Sequence, residues 1–166
     1  MSENAATIEL PFLAGLNNDG QPVFESLQAE FLPQDSSRVR LLRSPLFARN
    51  LAAGDTLRLI NPDAAEYELE RRSGNLCVRL FRREGVDEVD NFLTPAIEKL
   101  GGERDLGEES AIVYSIHVSI GFNTIEQLFD KACQKFSGTV WYYGNVYDPE
   151  DGETPMHWWD EFISQD

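Results

Sequence analysis

In "SAIVYSIHVSI", Ser110 to Ile120, the side chains alternate strictly: Ile112, Tyr114, Ile116, Val118 and Ile120 fall on one side, and Ala111, Val113, Ser115, His117 and Ser119 on the other. A period of two belongs to a β-strand, whose successive side chains leave opposite faces. The segments on either side change period. In "VDEVDNFLTPAIEKLGG", Val86 to Gly102, the apolar Val89, Phe92, Leu93, Ala96, Ile97 and Leu100 recur at helical spacing, and Gly101-Gly102 supplies a stop. Pro95 removes one helical hydrogen bond and predicts a kink or a split near Thr94. In "NTIEQLFDKACQKFSG", Asn123 to Gly138, Ile125, Leu128, Phe129, Ala132 and Phe136 make a single stripe. Thr124 with Gln127 reads as a capping box, Lys131 and Lys135 sit toward the negative end of the helix, and Gly138 ends it.

Working outward, Cys77 to Arg83 reads as a strand before the first helix, Glu103 to Leu106 as a weaker strand, and Thr139 to Tyr147 as an aromatic strand after the second helix. This order suits an antiparallel-leaning sheet with two helices on one face, the ferredoxin-like plan.

The front of the chain holds short strand patterns parted by turns: Thr7 to Leu10, the cluster "NNDGQP" at Asn17 to Pro22, then Val23 to Phe31, Arg38 to Leu42 and Thr56 to Ile60. "SPLFARNLAAGD", Ser44 to Asp55, connects the last two. In "AEYELERRSGNLCVRLFRR", Ala65 to Arg83, Gly74-Asn75 suits a type II′ hairpin turn. That register sets Leu69 against Leu80 and Arg71 against Val78 on one face, and Glu70 against Arg79 and Glu66 against Arg83 on the other. Such strand spacing suggests a small, partly open barrel or sandwich. The expected fold class is therefore α+β: a strand-rich barrel- or sandwich-like unit over 1–75, packed against an acidic ferredoxin-like unit over 76–166.

The chain has 166 residues, 42% of them hydrophobic, with a net charge of -15. This is a globular composition, long enough to bury roughly 70% of its unfolded surface. The charge is unevenly spread: residues 1–83 hold eleven acids against ten arginines, net -1, and residues 84–166 hold eighteen acids against Lys99, Arg104, Lys131 and Lys135, net -14. DNA binding is not expected of such a chain, and the acidic half repels an RNA backbone. Cys77 and Cys133 form no C-x-x-C pair and read as reduced, packed side chains. The first residues lack the basic flank of a signal peptide, and no stretch approaches the roughly 20 apolar residues of a membrane span. Together these readings place the protein in the cytoplasm, away from membranes.

The run "SPLFARNLAAGDTLRL", Ser44 to Leu59, followed by a hairpin, a helix and "FSGTVWYYGNVY", resembles a bacterial family known only as a domain of unknown function; the resemblance covers most of the chain and implies no activity. "LFDKACQKFSGTVWYYGNVYDPEDGE", Leu128 to Glu153, is similar to the last helix, aromatic strand and acidic exit of the regulator of ribonuclease activity B family. That second resemblance implies a ferredoxin-like fold and inhibition of a ribonuclease. This chain departs from the pattern in its long strand-rich front half and in lacking a long acidic tail.

The candidate binding residues lie in "TVWYYGNVYDPEDGETPMHWWDEF", Thr139 to Phe162, which has no lysine or arginine. Strand geometry puts Trp141, Tyr143, Asn145 and Tyr147 on one face and Val140, Tyr142, Gly144 and Val146 on the other. Trp141, Tyr143, Tyr147, Trp158 and Trp159 with Asp148, Glu150, Asp151 and Glu153 then read either as strand core with a solvated tail or as an aromatic patch with an acidic rim, the make-up of a protein contact. The spacing of these acids does not match a calcium loop, and Cys77, His117, Cys133 and His157 lack zinc-ligand spacing. No cofactor is expected. His117 beside Ser115 and Ser119 lacks an orienting third group. The leading expectation is a non-catalytic interaction or regulatory protein whose acidic C-terminal surface meets a basic protein partner. The alternatives are a small enzyme with a cleft between the two units, using His117 and a carboxylate, or RNA binding through the arginine-rich front half.

Overall fold

The computed structural model describes residues 6–163. β1 (Thr7–Leu16), β2 (Pro22–Leu32), β3 (Asp35–Leu41), β4 (Thr56–Asn61) and β5 (Glu66–Arg71) form one antiparallel sheet in chain order. Asn17 sets the first turn, its Oδ1 accepting the amides of Asp19 and Gln21 at 2.9 Å each. This is the backbone mimicry that makes asparagine a turn residue. Alternate residues of the strands, among them Leu10, Phe12, Leu27, Ala29, Val39, Leu41 and Leu57, pack into a common core.

The sheet is open. Closing a barrel requires a hydrogen-bonded ladder between the edge strands. Here β1 and β5 meet through side chains: the Tyr67 hydroxyl donates to the Pro11 carbonyl at 2.8 Å, and the Phe12 and Tyr67 rings lie 4.6 Å apart. Of the partly open barrel or sandwich expected, the structure shows an open five-stranded sheet and no closed barrel.

β6 (Asn75–Arg82), β7 (Glu103–Gly107), β8 (Ala111–His117) and β9 (Thr139–Tyr143) form a second antiparallel sheet in the order β7-β8-β6-β9. α1 (Val86–Lys99) and α2 (Phe122–Lys135) pack on one of its faces. Their buried stripes, Val86, Val89, Leu93 and Ile97 from α1 and Ile125, Phe129 and Ala132 from α2, meet Leu76, Val78, Leu80, Ile112, Tyr114 and Ile116.

Local details differ from expectation for physical reasons. The Ala65 to Arg83 hairpin does not form: β5 pairs with β4, while β6 pairs with β8 and β9. Ser73 and Gly74, the latter at φ 95°, carry the chain from one sheet to the other. Glu70 consequently pairs with Arg38, at 2.5 Å, rather than with Arg79. Helix α1 runs unbroken through Pro95. Helix α2 starts at Phe122, ahead of the expected capping box, with Gly121 as its N-cap and no side-chain cap. Strand β8 stops at His117, whose Nδ1 accepts the Ser119 amide and caps a short 3-10 turn, Val118–Ile120.

Ala111 to Ile116 are all buried, so β8 is covered on both faces. The helices cover one. The connection between β3 and β4 covers the other, with Leu46 and Ala52 packed on Cys77, Ala111 and Val113.

Candidate functional site

The β3–β4 connection is the joint between the sheets, and it is folded around buried polar groups. Glu25 of β2 accepts the amides of Leu46, Phe47 and Ala48 at 2.7, 2.8 and 2.9 Å, drawing that stretch into a nest around one carboxylate. Ser44 donates its amide to Asp105 Oδ2 at 2.8 Å and its hydroxyl lies 2.6 Å from that of Ser115 on β8. Asp55 accepts from Ala52 and Ser73, at 3.0 and 2.9 Å. Burial pushes the Asp55 carboxyl up to about 6 and raises Asp105 as well.

Arg79 ties β6 to the same connection. Its side chain is 3% exposed; Nε donates to the Pro45 carbonyl at 3.1 Å and Nη2 to that of Ala48. Among the described residues it takes no carboxylate partner. Gly144 lies directly beneath it: a Cβ at that position would come within 2.8 Å of both Arg79 Cζ and Cys77 Sγ. The glycine in "WYYGN" is therefore a close-approach site. Arg79 and Gly144 line a cleft of about 500 Å³ at the junction, with Phe47, Arg49, Tyr142 and Asp148 among its other walls.

The expected binding residues separate into two groups. Trp141 and Tyr143 turn toward α2, their Nε1 and hydroxyl donating to Asp130 Oδ1 at 2.9 Å and Glu126 Oε2 at 3.0 Å. Burial, followed by the nearby Glu126 charge, raises the Tyr143 hydroxyl well above its ordinary value. Trp159 is buried against Phe122, and Trp158 is half-buried under the Arg72 guanidinium, 5.1 Å from its ring centroid. These four aromatic rings belong to the core and its margin.

In this C-terminal stretch the exposed tyrosines are Tyr147 and, on the face of β9 opposite Trp141 and Tyr143, Tyr142, with Val140 beside it. The alternation breaks after Tyr143 because Asn145 and Val146 are both buried. The Asn145 side chain accepts the Cys77 amide at 2.9 Å and donates to the Asn75 carbonyl at 3.0 Å, extending the pairing with β6 by side chain instead of backbone.

Beyond it, Asp148, Glu150, Asp151 and Glu153 form a surface loop closed by a Tyr147–Pro155 bridge. Asp148 accepts the Glu150 amide at 2.9 Å, and Asp151 accepts the amides of Glu153 and Thr154 at 2.8 and 2.9 Å. The Thr154 hydroxyl, together with these amides, lowers Asp151 to about 2. Glu150 and Glu153 contribute exposed side chains to the loop.

His117 does not reach the cleft: its Nδ1 meets the Ser119 hydroxyl at 2.8 Å, and its ring packs edge-on to Phe162. Among the described residues, no group of three His, Cys, Asp or Glu side chains is placed to hold a metal ion. Sequence reading passed over Arg79, Phe47, Arg49 and Tyr142 as site residues. The available signal was an arginine inside the apolar run "NLCVRLF" together with a glycine inside an aromatic strand.

These features define an α+β protein of two open antiparallel sheets and two helices, its sheets joined by a folded connection beside a cleft. The chain belongs to the family described as "Domain of unknown function (DUF4265)", which matches residues 25–139, from β2 to the first residue of β9. Among solved structures it is similar to a hypothetical protein from Neisseria gonorrhoeae, with a TM-score of 0.59 and 15% identity over 87% of this chain and 96% of that one. That likeness concerns the fold alone. No protein of curated function matches the chain. No helix among the described residues is long and apolar enough to cross a membrane.

Proposed function

We propose that this is a cytoplasmic interaction protein without chemistry of its own, which binds a basic protein partner through its acidic C-terminal surface. One observation carries the reading: among the described residues, the carboxylates of the 148–153 loop take no cationic partner and adjoin the exposed Tyr147. Of the acids beyond residue 83, only Glu88 and Asp90 stand in ion pairs there, with Arg82 and Arg104. Four of the ten front-half arginines are ion-paired with acids of the first sheet, Arg38 with Asp35 and Glu70, Arg40 with Glu30, Arg43 with Glu25 and Arg58 with Glu68. This engagement favours protein contact over RNA binding, since paired guanidiniums offer less to phosphates. Two free thiols, Cys77 and Cys133, suit a reducing compartment.

We further read residues 76–166 as a ferredoxin-like unit beside a strand-rich unit over 1–75. The β-α-β-β-α-β order of β6 to β9 and the antiparallel sheet order support that reading. The resemblance of Leu128 to Glu153 to the regulator of ribonuclease activity B makes a nuclease the first partner class to try.

The experiment compares the full chain with a Glu150→Gln, Glu153→Gln variant as bait at low and moderate salt. These two side chains accept none of the loop's own amide bonds, so the loop keeps its shape. A basic protein retained by the wild type and lost from the variant is the expected result. Retention of no basic protein at either salt overturns the reading.

A further inference from the structure

We propose that the junction cleft is a binding site for a small monoanion, a carboxylate carried on a flat or aromatic body, held through Arg79. The cleft borders the acidic loop and shares Tyr147 and Asp148 with it, but the proposal rests on Arg79 and not on that loop's partner. A buried guanidinium ordinarily has a carboxylate beside it, because a charge left uncompensated in a low-dielectric setting is unfavourable. Arg79 is 97% buried by its 3% exposure, yet its two protein bonds are to backbone carbonyls, through Nε and Nη2. Nη1 takes no protein partner among the described residues, and the side chain lines the cleft. The two carbonyls fix the plane of the guanidinium, and the absence of a Cβ on Gly144 leaves room for it. The donors left over, those of Nη1 and the second hydrogen of Nη2, suit a carboxylate.

The remaining walls narrow the ligand. Arg49 adds a second positive charge and Asp148 one negative charge, leaving the lining with a single net positive charge inside a molecule of net -15. That balance matches a monoanion and opposes polyphosphates or nucleic acid. Phe47 and Tyr142, 51% and 47% exposed, are large rings left open in a concave site. Tyr142 is held in place by stacking on Phe81, 5.5 Å away at 17°. Arg79 Cζ lies 5.9 Å from the Tyr142 ring centroid, so the charge and the ring are held together; partly exposed aromatic rings beside a fixed charge are a usual make-up of a small-molecule pocket, and about 500 Å³ is within the size range of such sites.

The test is an NMR titration of the full chain with four probes: benzoate, its neutral isostere benzamide, phenyl phosphate and inorganic phosphate. Benzoate is expected to give saturable shifts at the Arg79 side-chain Nε, Gly144 and the Tyr142 ring. Benzamide should bind about tenfold more weakly or worse, a difference of about 1.4 kcal/mol. Arg49→Ala and Tyr142→Ala should each weaken benzoate severalfold while thermal unfolding stays within a few degrees of wild type. Arg79→Lys, which keeps the charge and loses the fork, should also weaken it. Equal binding of benzoate and benzamide, no saturable shift with benzoate, tighter binding of either phosphate probe, or benzoate affinity unchanged in both Arg49→Ala and Tyr142→Ala overturns the proposal.

Discussion

The Ser44 and Ser115 hydroxyls lie 2.6 Å apart in a buried contact between the β3–β4 connection and β8. With Asp105 ionised, the Ser115 hydrogen is committed to Asp105 Oδ2, so Ser44 must donate to Ser115 while its oxygen accepts the Ala53 amide at 2.9 Å. Each hydroxyl in this relay has one hydrogen and one direction. The relay joins the two sheets without a charged pair.

Replacing Ser44 by alanine removes the acceptor of the Ala53 amide and the donor to Ser115 together. The expected loss is about 1–3 kcal/mol, the cost of leaving a buried polar group without its partner. Urea unfolding is the measurement, with a lowered midpoint and an unchanged slope. A midpoint equal to that of wild type would show that water replaces the hydroxyl freely.

Asp55 supplies a pH dependence whose sign follows from its burial. Its folded value, about 6, lies above the ordinary 3.8, so the folded state holds the proton more tightly than the unfolded chain. Its contribution to stability is complete below 3.8 and is lost as pH rises through about 6, a change of about 3 kcal/mol for a shift of this size. Asp151 acts in the opposite sense: lowered to about 2, it contributes stability that is lost only in strong acid. Carbon-detected titration should place the Asp55 midpoint near 6, and Asp55→Asn should flatten the stability slope between about pH 4 and about pH 6. A midpoint near 4 would remove the argument.

Local pattern made much of this fold legible. The stripe of α2 and the alternation of Ala111 to Ile116 appear in the sequence because each is decided by neighbours a few residues away. The pairing of β5 was misread because a glycine after two arginines and a serine serves a hairpin and a sheet-to-sheet crossover equally well, and only long-range contacts choose between them. Glutamates of β5 and arginines of β6 looked complementary, yet Arg38 lay closer in the folded chain. The cleft was hidden for a related reason: its walls come from β1, the β3–β4 connection, β6, β9 and the stretch after it, which no local spacing brings together. The sequence left Trp141 and Tyr143 open between strand core and exposed patch, and their partial burial, with partners Asp130 and Glu126, is set by the packing of α2 on β9.

Gly144→Ala tests how tightly Arg79 is set. The new Cβ would come within 2.8 Å of a guanidinium fixed by two carbonyls and of a buried sulfur, so something must move. A destabilisation of about 1–3 kcal/mol is expected, as for overpacking elsewhere. Combining it with Arg79→Lys, which withdraws the guanidinium, should cost less than the two changes summed, and a double-mutant cycle measures that coupling. Strict additivity would place the strain on Cys77 alone.

Asn145 is the residue on which the turn after β9 depends, because its amide both accepts from Cys77 and donates to the Asn75 carbonyl. Asn145→Ala leaves a buried amide and carbonyl without partners and is expected to cost about 1–3 kcal/mol. Asn145→Asp is the more telling change. An aspartate keeps the acceptor for Cys77 but can donate to Asn75 only when protonated, so its folded pKa must rise and its deficit must grow with pH. Unfolding measured at about pH 5 and about pH 8 should therefore show the aspartate variant closer to wild type at the lower value. A deficit equal at both would mean that the Asn75 bond adds nothing and that Asn145 acts through the Cys77 amide alone.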